Sequence, residues 1–343
     1  MNFLTFSILQ IIGTPFLQSK IKNMQYIENY KELYYYAFRN RIPLLFLDAL
    51  KRDHSIGNLN YKYELLNKIS LNSINAISKI SRILKKSQIN FTFFKSVRPY
   101  HEKTVDIDVL IFNSDYKKAF QILKREGYRL LEVGPLSVTF LDVKNDINID
   151  IYNEVGVSYI IYLDKNKLKK SIINKKLQNG ETIQTLNPGA DIITIIAHSI
   201  IKEQLYVLSE YYTTLYYLAN MNDRELNSFL SLVQECGMSF SVKTHLGITA
   251  LIHLQAYGFL PMHILKLVKK MGFNRLDLLR AYENNLILPH KFHPLTIAKA
   301  FIGLLQNNKS RKSFVAQIIN MLNPKLTSYV IKEVLNHITR ITY

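Results

Sequence analysis

The sequence predicts an α+β protein in which a small mixed β-sheet is flanked by an N-terminal helical segment and a larger C-terminal helical one. Three observations carry the prediction. Apolar residues recur at three- and four-residue spacing before Phe91 and again beyond Asn187, the period of helices. Between those positions, 105–112 and 147–151 alternate apolar with polar residues, the period of strands whose two faces differ. Asn187-Pro188-Gly189 then interrupts the chain, so the expected segments are 1–90, 91–186 and 187–343.

Composition sets the frame for these elements. A chain of 343 residues with 48% hydrophobic content is long enough for a sizeable core and, on length alone, suggests about two domains. Its single cysteine, Cys236, excludes an intrachain disulfide and any cysteine-rich zinc site, and points to the reducing cytoplasm. Residues 1–12 are apolar but lack a basic lead and a small-residue cleavage site, so they are not read as a signal peptide. No run approaches the roughly 18 apolar residues of a spanning helix, and no membrane partner is expected.

In the first segment, 27–38 and 42–51 carry helical spacing, with Pro43 near the start of the second, where a missing N–H is tolerated. Ser55-Ile56-Gly57-Asn58 breaks the pattern before 61–86, the longest helix. Its apolar residues Leu65, Leu66, Ile69, Leu71, Ile74, Ile77, Ile80 and Leu84 are expected to face a core. Tyr34, Tyr35 and Tyr36 read first as packing between helices, with base stacking as the functional alternative.

The second segment holds the chemistry. After a short apolar run at 91–94 comes Lys95-Ser96, and the turn toward Pro99 is expected to open a short helix with an anion-accepting N-terminus. Val105-Asp106-Ile107-Asp108-Val109-Leu110-Ile111-Phe112 is the central strand. Residues two apart share a face with backbones about 6–7 Å apart, so Asp106 and Asp108 project together. Val105, Ile107, Val109 and Ile111 then face a helix. Ser114 is the expected N-cap of the next helix, which Gly127 closes. The stretches 136–143 and 147–153 form a hairpin that sets Asp150 across the sheet from Asp106 and Asp108. Asp142 and Asp146 are rivals to Asp150, although Asp146 occupies a turn where an acid is expected anyway. Residues 158–163 add a strand or begin a helix, a choice that so short a run leaves open.

In the third segment, Ile192, Ile193, Ile195, Ile196 and Ile200 make a helix apolar nearly all round, hence buried. His198 lies in it and reads first as a hydrogen-bonded core residue. Further helical runs are broken at Gly237, Gly258, Pro261, Gly272, Pro289, Pro294 and Pro324. His245, His253 and His263 lack the three- or four-residue spacing that pairs ligands on one helix face, and no zinc is assigned. Walker A, G-x-G-x-x-G and G-x-S-x-G patterns are missing from the sequence.

Three carboxylates on neighbouring strands are the hard oxygen donors that Mg²⁺ or Mn²⁺ takes in phosphoryl and nucleotidyl transfer. Asp106 and Asp108 are candidate metal ligands. Asp150 completes the set and helps deprotonate an acceptor hydroxyl, while Lys95, Ser96 and Arg98 are candidates to grip a triphosphate. Lysine and arginine number 44 against 26 acids, giving +18, a field that attracts polyanions. The charge is densest at Lys165, Lys167, Lys169, Lys170, Lys175 and Lys176, which is either a solvated helix face or an RNA contact surface.

The turn, the D-x-D strand and the later aspartate resemble the DNA polymerase β-type nucleotidyltransferase superfamily. Phe94-Lys95-Ser96, Asp106-Ile107-Asp108-Val109-Leu110-Ile111 and Gly127-Tyr128 resemble, more narrowly, an uncharacterised nucleotidyltransferase family with a Lys-Gly turn, a D-I-D strand and a Gly-Tyr after the next helix. The resemblance implies a Mg²⁺-dependent enzyme that transfers an NMP group, most simply AMP from ATP, to a hydroxyl of an acceptor such as RNA or protein. It also implies a histidine facing the nucleotide, at His198. Two positions depart from the narrower family: Ser96 stands where it has glycine, and the helix after His198 offers Glu210 where it has aspartate. The wider superfamily often carries Gly-Ser here, which matches Ser96 to its serine and Lys95 to its glycine. A Cβ at this turn narrows the approach of a triphosphate. The alternative reading is therefore a catalytically inactive protein of the same fold that binds nucleotide or RNA.

Overall fold

The structure is a computed structural model and describes residues 1–17, 30–273, 286–322 and 327–328. The predicted break at Pro324 and the first residues of the 27–38 helix lie outside them. In chain order the strands are β1 (Phe91–Phe93), β2 (Asp106–Ile111), β3 (Arg129–Val133), β4 (Ser137–Asp142), β5 (Ile147–Tyr152), β6 (Val155–Val157), β7 (Ile160–Leu163), β8 (Ile172–Lys176), β9 (Thr182–Leu186), β10 (Leu205–Tyr206) and β11 (His290–Lys291). The helices of the first two segments are α1 (Phe3–Ile12), α2 (Tyr30–Arg39), α3 (Pro43–Arg52), α4 (Asn60–Lys86), α5 (Tyr116–Arg125) and α6 (Lys165–Lys169). After them come α7 (Pro188–Ala197), α8 (Leu208–Ala219), α9 (Asp223–Glu235), α10 (Ser239–Tyr257), α11 (Met262–Lys270), α12 (Pro294–Leu304) and α13 (Asn308–Asn320). The class is α+β, with helical segments on both sides of a mixed sheet.

Seven strands form that sheet in the order β3-β4-β5-β2-β1-β9-β8. β2 runs parallel to β5 and β1 parallel to β9, and the other pairs are antiparallel. Alternation along β2 decides what each face does. Ile107, Val109 and Ile111 pack with Ala76, Ile77, Ile80 and Leu84 of α4 and with Ala119 and Leu123 of α5. Each such aliphatic side chain removed from water contributes about 1.5–3 kcal/mol before entropy is counted. On the opposite face, Leu110, Tyr152 and Leu186 join a second cluster with Leu33, Phe46, Ile192, Tyr211 and Leu246. Helices from both ends of the chain thus share one core over the face that carries the aspartates.

Several local expectations are corrected. Val105 precedes β2 and is 68% exposed, so only the three later apolar residues meet a helix. In α4, Leu65, Ile69 and Leu71 lie on the outer face. The buried stripe runs through Leu66, Ser70, Ser73, Ile77, Ile80 and Leu84 at alternating four- and three-residue steps. Its serines misdirect a reading by hydrophobicity. Ser114 does not cap α5; Asp115 stands at that position, and its carboxylate accepts from the Asn90 amide at 3.1 Å. No helix opens after Ser96, since residues 94–105 form an irregular loop. Of the two options left open for 158–163 the strand is the one taken, since β7 pairs with β6.

The lysine run is neither a single helix face nor an open patch. It spans α6 and the edge strand β8, and its side chains leave in different directions. Lys165 is 8% exposed and donates to the Ile111 and Asn153 carbonyls, while Lys167 donates to the Glu235 carbonyl. Lys175 is drawn toward the Val97 carbonyl at 3.4 Å, and burial holds its ammonium below the usual lysine range.

Candidate metal and nucleotide site

Parallel pairing of β2 with β5 puts Asp108 opposite Asp150 and Asp106 opposite Asn148. One carboxylate oxygen from each of Asp106, Asp108 and Asp150 lies within 4.8 Å of the others. Asp142, one of the two rivals, accepts from the Lys144 and Asn145 amides and from Asn145 Nδ2, closing the β4–β5 turn. Asp146 sits in the same turn with φ +50°. The Asp150 carboxylate is held from β4, where Thr139 Oγ1 donates to Oδ1 at 2.6 Å.

Asp108 is only 3% exposed. Its Oδ1 is paired with the Lys95 ammonium at 3.1 Å. Burial, with Asp106 and Asp150 adding to it against Lys95, pushes the Asp108 carboxyl up to about 7. Asp150 is raised as well, chiefly by burial. Burial alone would lower the Lys95 ammonium, but Asp108 beside it outweighs that and holds it above the ordinary lysine range. Three crowded carboxylates against one lysine, with hard oxygen donors only, fit a divalent cation such as Mg²⁺ or Mn²⁺.

The turn between β1 and β2 explains the Lys95-Ser96 pair. Lys95 has φ +59°, the left-handed conformation that favours glycine, so it occupies the glycine-type position of the turn. Its amide donates to Asp191 Oδ1 at 2.7 Å, and Tyr217 donates to the other oxygen of that carboxylate at 2.8 Å. Those bonds from α7 and α8 hold a backbone that costs about 1–2 kcal/mol for a residue with a Cβ. Ser96 is 4% exposed and turns inward. Its hydroxyl donates to the Phe94 carbonyl at 3.0 Å and accepts the Asp108 amide at 2.7 Å. This side chain fastens the turn to β2. Arg98 donates to Thr213 Oγ1 at 3.1 Å.

From Lys95 a chain of polar contacts crosses the site. The Lys95 ammonium meets His198 Nδ1 at 3.2 Å, His198 Nε2 meets Glu203 Oε1 at 3.2 Å, and Arg41 donates to Glu203 Oε2 at 3.2 Å. His198 starts a π-helical turn, His198–Glu203, that ends at Gln204 with φ +54°. Single π turns inside helices collect at functional sites. Burial, reinforced by Lys95, pushes the imidazole down to about 3, so it is neutral with Nδ1 as acceptor. Burial would raise Glu203, but His198 and Arg41 reverse the sign and hold it below the usual carboxylate range. His198 is therefore on the site wall rather than in the apolar core.

Much of this set lines one cleft between the sheet and the helices, while Asp150 stands outside its lining, on β5 beside Asp108. Lys95, Ser96, Arg98, Asp106, Asp108 and His198 all border it, together with Arg39, Arg41, Glu102, Lys103, Lys202 and Glu203. Glu102 caps α3 by accepting the Leu44 and Leu45 amides. Sequence reasoning missed Arg41, Glu102, Asp191, Lys202 and Glu203. Asp191 is an acid in the first turn of a helix, where acids are common for electrostatic reasons, so nothing local marked it. Arg41 sits in the turn between α2 and α3, and only its spatial meeting with Glu203 reveals it.

No family model and no curated protein matches the chain. Among solved structures, it is similar to an antigenic nucleotidyltransferase-like protein from Paracoccidioides brasiliensis, at 12% identity and TM-score 0.28, covering 66% of this chain and 97% of that one. It is also similar to a STING-associated CdnE c-di-GMP synthase from Capnocytophaga granulosa, at 14% identity and TM-score 0.31, covering 84% and 98%. At such values the likeness transfers no residue roles.

Proposed function

We propose that the protein is a nucleotidyltransferase of the DNA polymerase β-type superfamily. It transfers an NMP group, most simply AMP from ATP, to a hydroxyl of an acceptor. The observation that carries this reading is the convergence of Asp106, Asp108 and Asp150, one oxygen of each within 4.8 Å of the others, with Asp106 and Asp108 on the wall of a cation-rimmed cleft. The three aspartates hold the divalent cation, which supplies charge neutralisation and polarises the phosphoryl oxygens when bound. Lys95, Arg98 and Lys202 set positive charge along the path of the triphosphate. The Ser96 hydroxyl acts indirectly, by fixing the turn that presents Lys95. An acceptor oxygen bonds to the α-phosphorus, the bond from that phosphorus to the bridging oxygen breaks, pyrophosphate leaves, and Asp150 takes the hydroxyl proton. Positioning and charge complementarity provide most of the rate.

Ligand linkage tests the reading. Mg²⁺-ATP at a hundredfold excess over Kd is expected to stabilise the protein by about 2.7 kcal/mol. Asp106→Asn with Asp108→Asn is expected to remove that increment, even where the apo variant gains stability from reduced carboxylate repulsion. Equal increments in both proteins for every Mg²⁺-NTP tried would overturn the assignment. A second reading, a catalytically inactive nucleotide- or RNA-binding protein, is favoured by one contact: Lys95 at 3.1 Å from Asp108 already supplies an internal counter-charge. Label transfer from NTP in Mg²⁺ but not in chelator separates the two.

A further inference from the structure

The cleft continues outward onto a surface that its chemistry at the floor does not use. Phe38, Arg39 and Lys103 line the cleft, and the first two belong to the exposed face of α2. Tyr35 lies three residues before Phe38 on that same face, 49% exposed against 42% for Phe38. Tyr34 bridges them from beneath, with ring centroids 5.6 Å from Tyr35 and 6.4 Å from Phe38. The start of α4 adds Tyr61, 65% exposed. Cations are interleaved with these rings. Lys62 stands 5.4 Å from the Tyr35 centroid and 5.3 Å from that of Tyr61, and Lys103 stands 4.9 Å from that of Phe38.

We propose that this ledge binds single-stranded nucleic acid and leads its end into the cleft, which makes a polynucleotide the acceptor class. Large rings left half in water are costly unless something covers them. Here the rings alternate with ammonium and guanidinium groups, so the surface matches a strand whose bases stack while its phosphates are neutralised. An apolar protein partner would leave Lys62, Lys103 and Arg39 to be desolvated without counter-charge. The net charge of +18 favours the polyanion from a distance. The acceptor role rests on the nucleotidyl-transfer reading; the binding role does not.

The test measures anisotropy of a labelled oligoadenylate of about 12 nucleotides, RNA and DNA, on the full chain. Tyr35→Leu combined with Tyr61→Leu is expected to weaken binding at least tenfold, because two stacking platforms are lost. Tyr35→Phe with Tyr61→Phe retains the rings and is expected to bind within about twofold of the wild type. Both pairs are exposed, so melting temperatures are expected to stay unchanged, as is the stabilisation by Mg²⁺-ATP. Leucine variants that bind as well as the wild type, or a wild type that binds no oligonucleotide, would overturn the proposal and leave the ledge as a docking face for protein. Oligonucleotide binding that depends on the rings, in a protein that Mg²⁺-ATP fails to stabilise, would sustain the ledge while removing the nucleotidyltransferase reading.

Discussion

Two regions that enclose histidines, α10 and the cleft, differ in what surrounds the ring. In α10, His245 uses Nε2 on the Thr214 hydroxyl at 2.9 Å and His253 uses Nδ1 on the Tyr211 hydroxyl at 2.9 Å. Their other ring nitrogens have no hydrogen-bond partner, and burial alone pushes them down to about 3 and about 4. His198 is also pushed to about 3, but both of its nitrogens meet charged groups, Lys95 on one side and Glu203 on the other. A low histidine pKa therefore does not separate site from core. The partners do. Neutral pairs end where they begin, whereas the chain from Arg41 through Glu203, His198 and Lys95 carries charge across the cleft to the buried carboxylate of Asp108.

The largest expected effect lies on the charged side of this contrast. Lys95→Met removes the ammonium nearest Asp108 and leaves a buried carboxylate beside two others. Breaking such a pair costs about 3–5 kcal/mol. Denaturant unfolding at neutral pH is expected to show a loss of that order. Adding Asp108→Asn should recover part of it, giving a coupling well above 1 kcal/mol. If the two substitutions add, Lys95 and Asp108 are neighbours without energetic linkage, and the contrast with the core collapses.

Acid should act on the neutral side. The folded pKa of His245 lies below the unfolded value of about 6.5, so the unfolded chain binds the proton first. The contribution of the neutral ring is complete above pH 6.5 and falls as pH drops toward about 3. Between pH 6.5 and 5 the loss is about 2 kcal/mol for this histidine. Glu102, which burial raises to about 8, and Asp108 titrate in the opposite sense over the same range, since protonation favours their folded forms. The measurement is therefore a difference: urea midpoints of wild type minus those of His245→Gln, across pH. That difference is expected to shrink as pH falls, and a flat one would mean that His245 does not titrate below its unfolded pKa.

How much of this was legible in the sequence follows from the same distinction. Alternation along 105–112 and 147–153 gave the strands, and their face gave Asp106, Asp108 and Asp150, because a period of two places carboxylates without any knowledge of partners. The parallel register of Asp108 with Asp150 needed the sheet order. The resemblance set Lys95 in a glycine's place, but what holds a lysine there at φ +59° was not legible, because Asp191, which accepts its amide, lies 96 positions away. Arg41 and Glu203 come from the α2–α3 turn and the π turn and carry no local pattern; the run Tyr34 to Tyr36 was visible, but only the fold shows that Tyr34 and Tyr36 are buried and that Tyr35 joins Phe38 and Tyr61 on the surface. Lys165–Lys176 is the converse case: dense in sequence, dispersed in space.

The smallest expected effect is the sharpest probe of the neutral pairs. Thr214→Val keeps the volume and removes the hydroxyl, so His245, whose Nδ1 already lacks a partner, loses its remaining side-chain hydrogen bond. One neutral hydrogen bond is worth about 1 kcal/mol net, and the stranded nitrogen adds to the cost. Replacing the ring too, as Thr214→Val with His245→Leu, removes donor and acceptor together. Such a double change is nearly neutral where the shape is kept. The double variant is therefore expected to be more stable than Thr214→Val alone, with its acid sensitivity reduced by the share that His245 carries. In the cleft, replacing Lys95 and Asp108 by Met and Leu is expected to recover stability only in part, because Asp106 and Asp150 still face each other, and to remove the response to Mg²⁺-ATP. A rescue of both stability and ligand response there would show that the buried charges of the cleft are packing, as the histidines of α10 are, and would take the metal site with it.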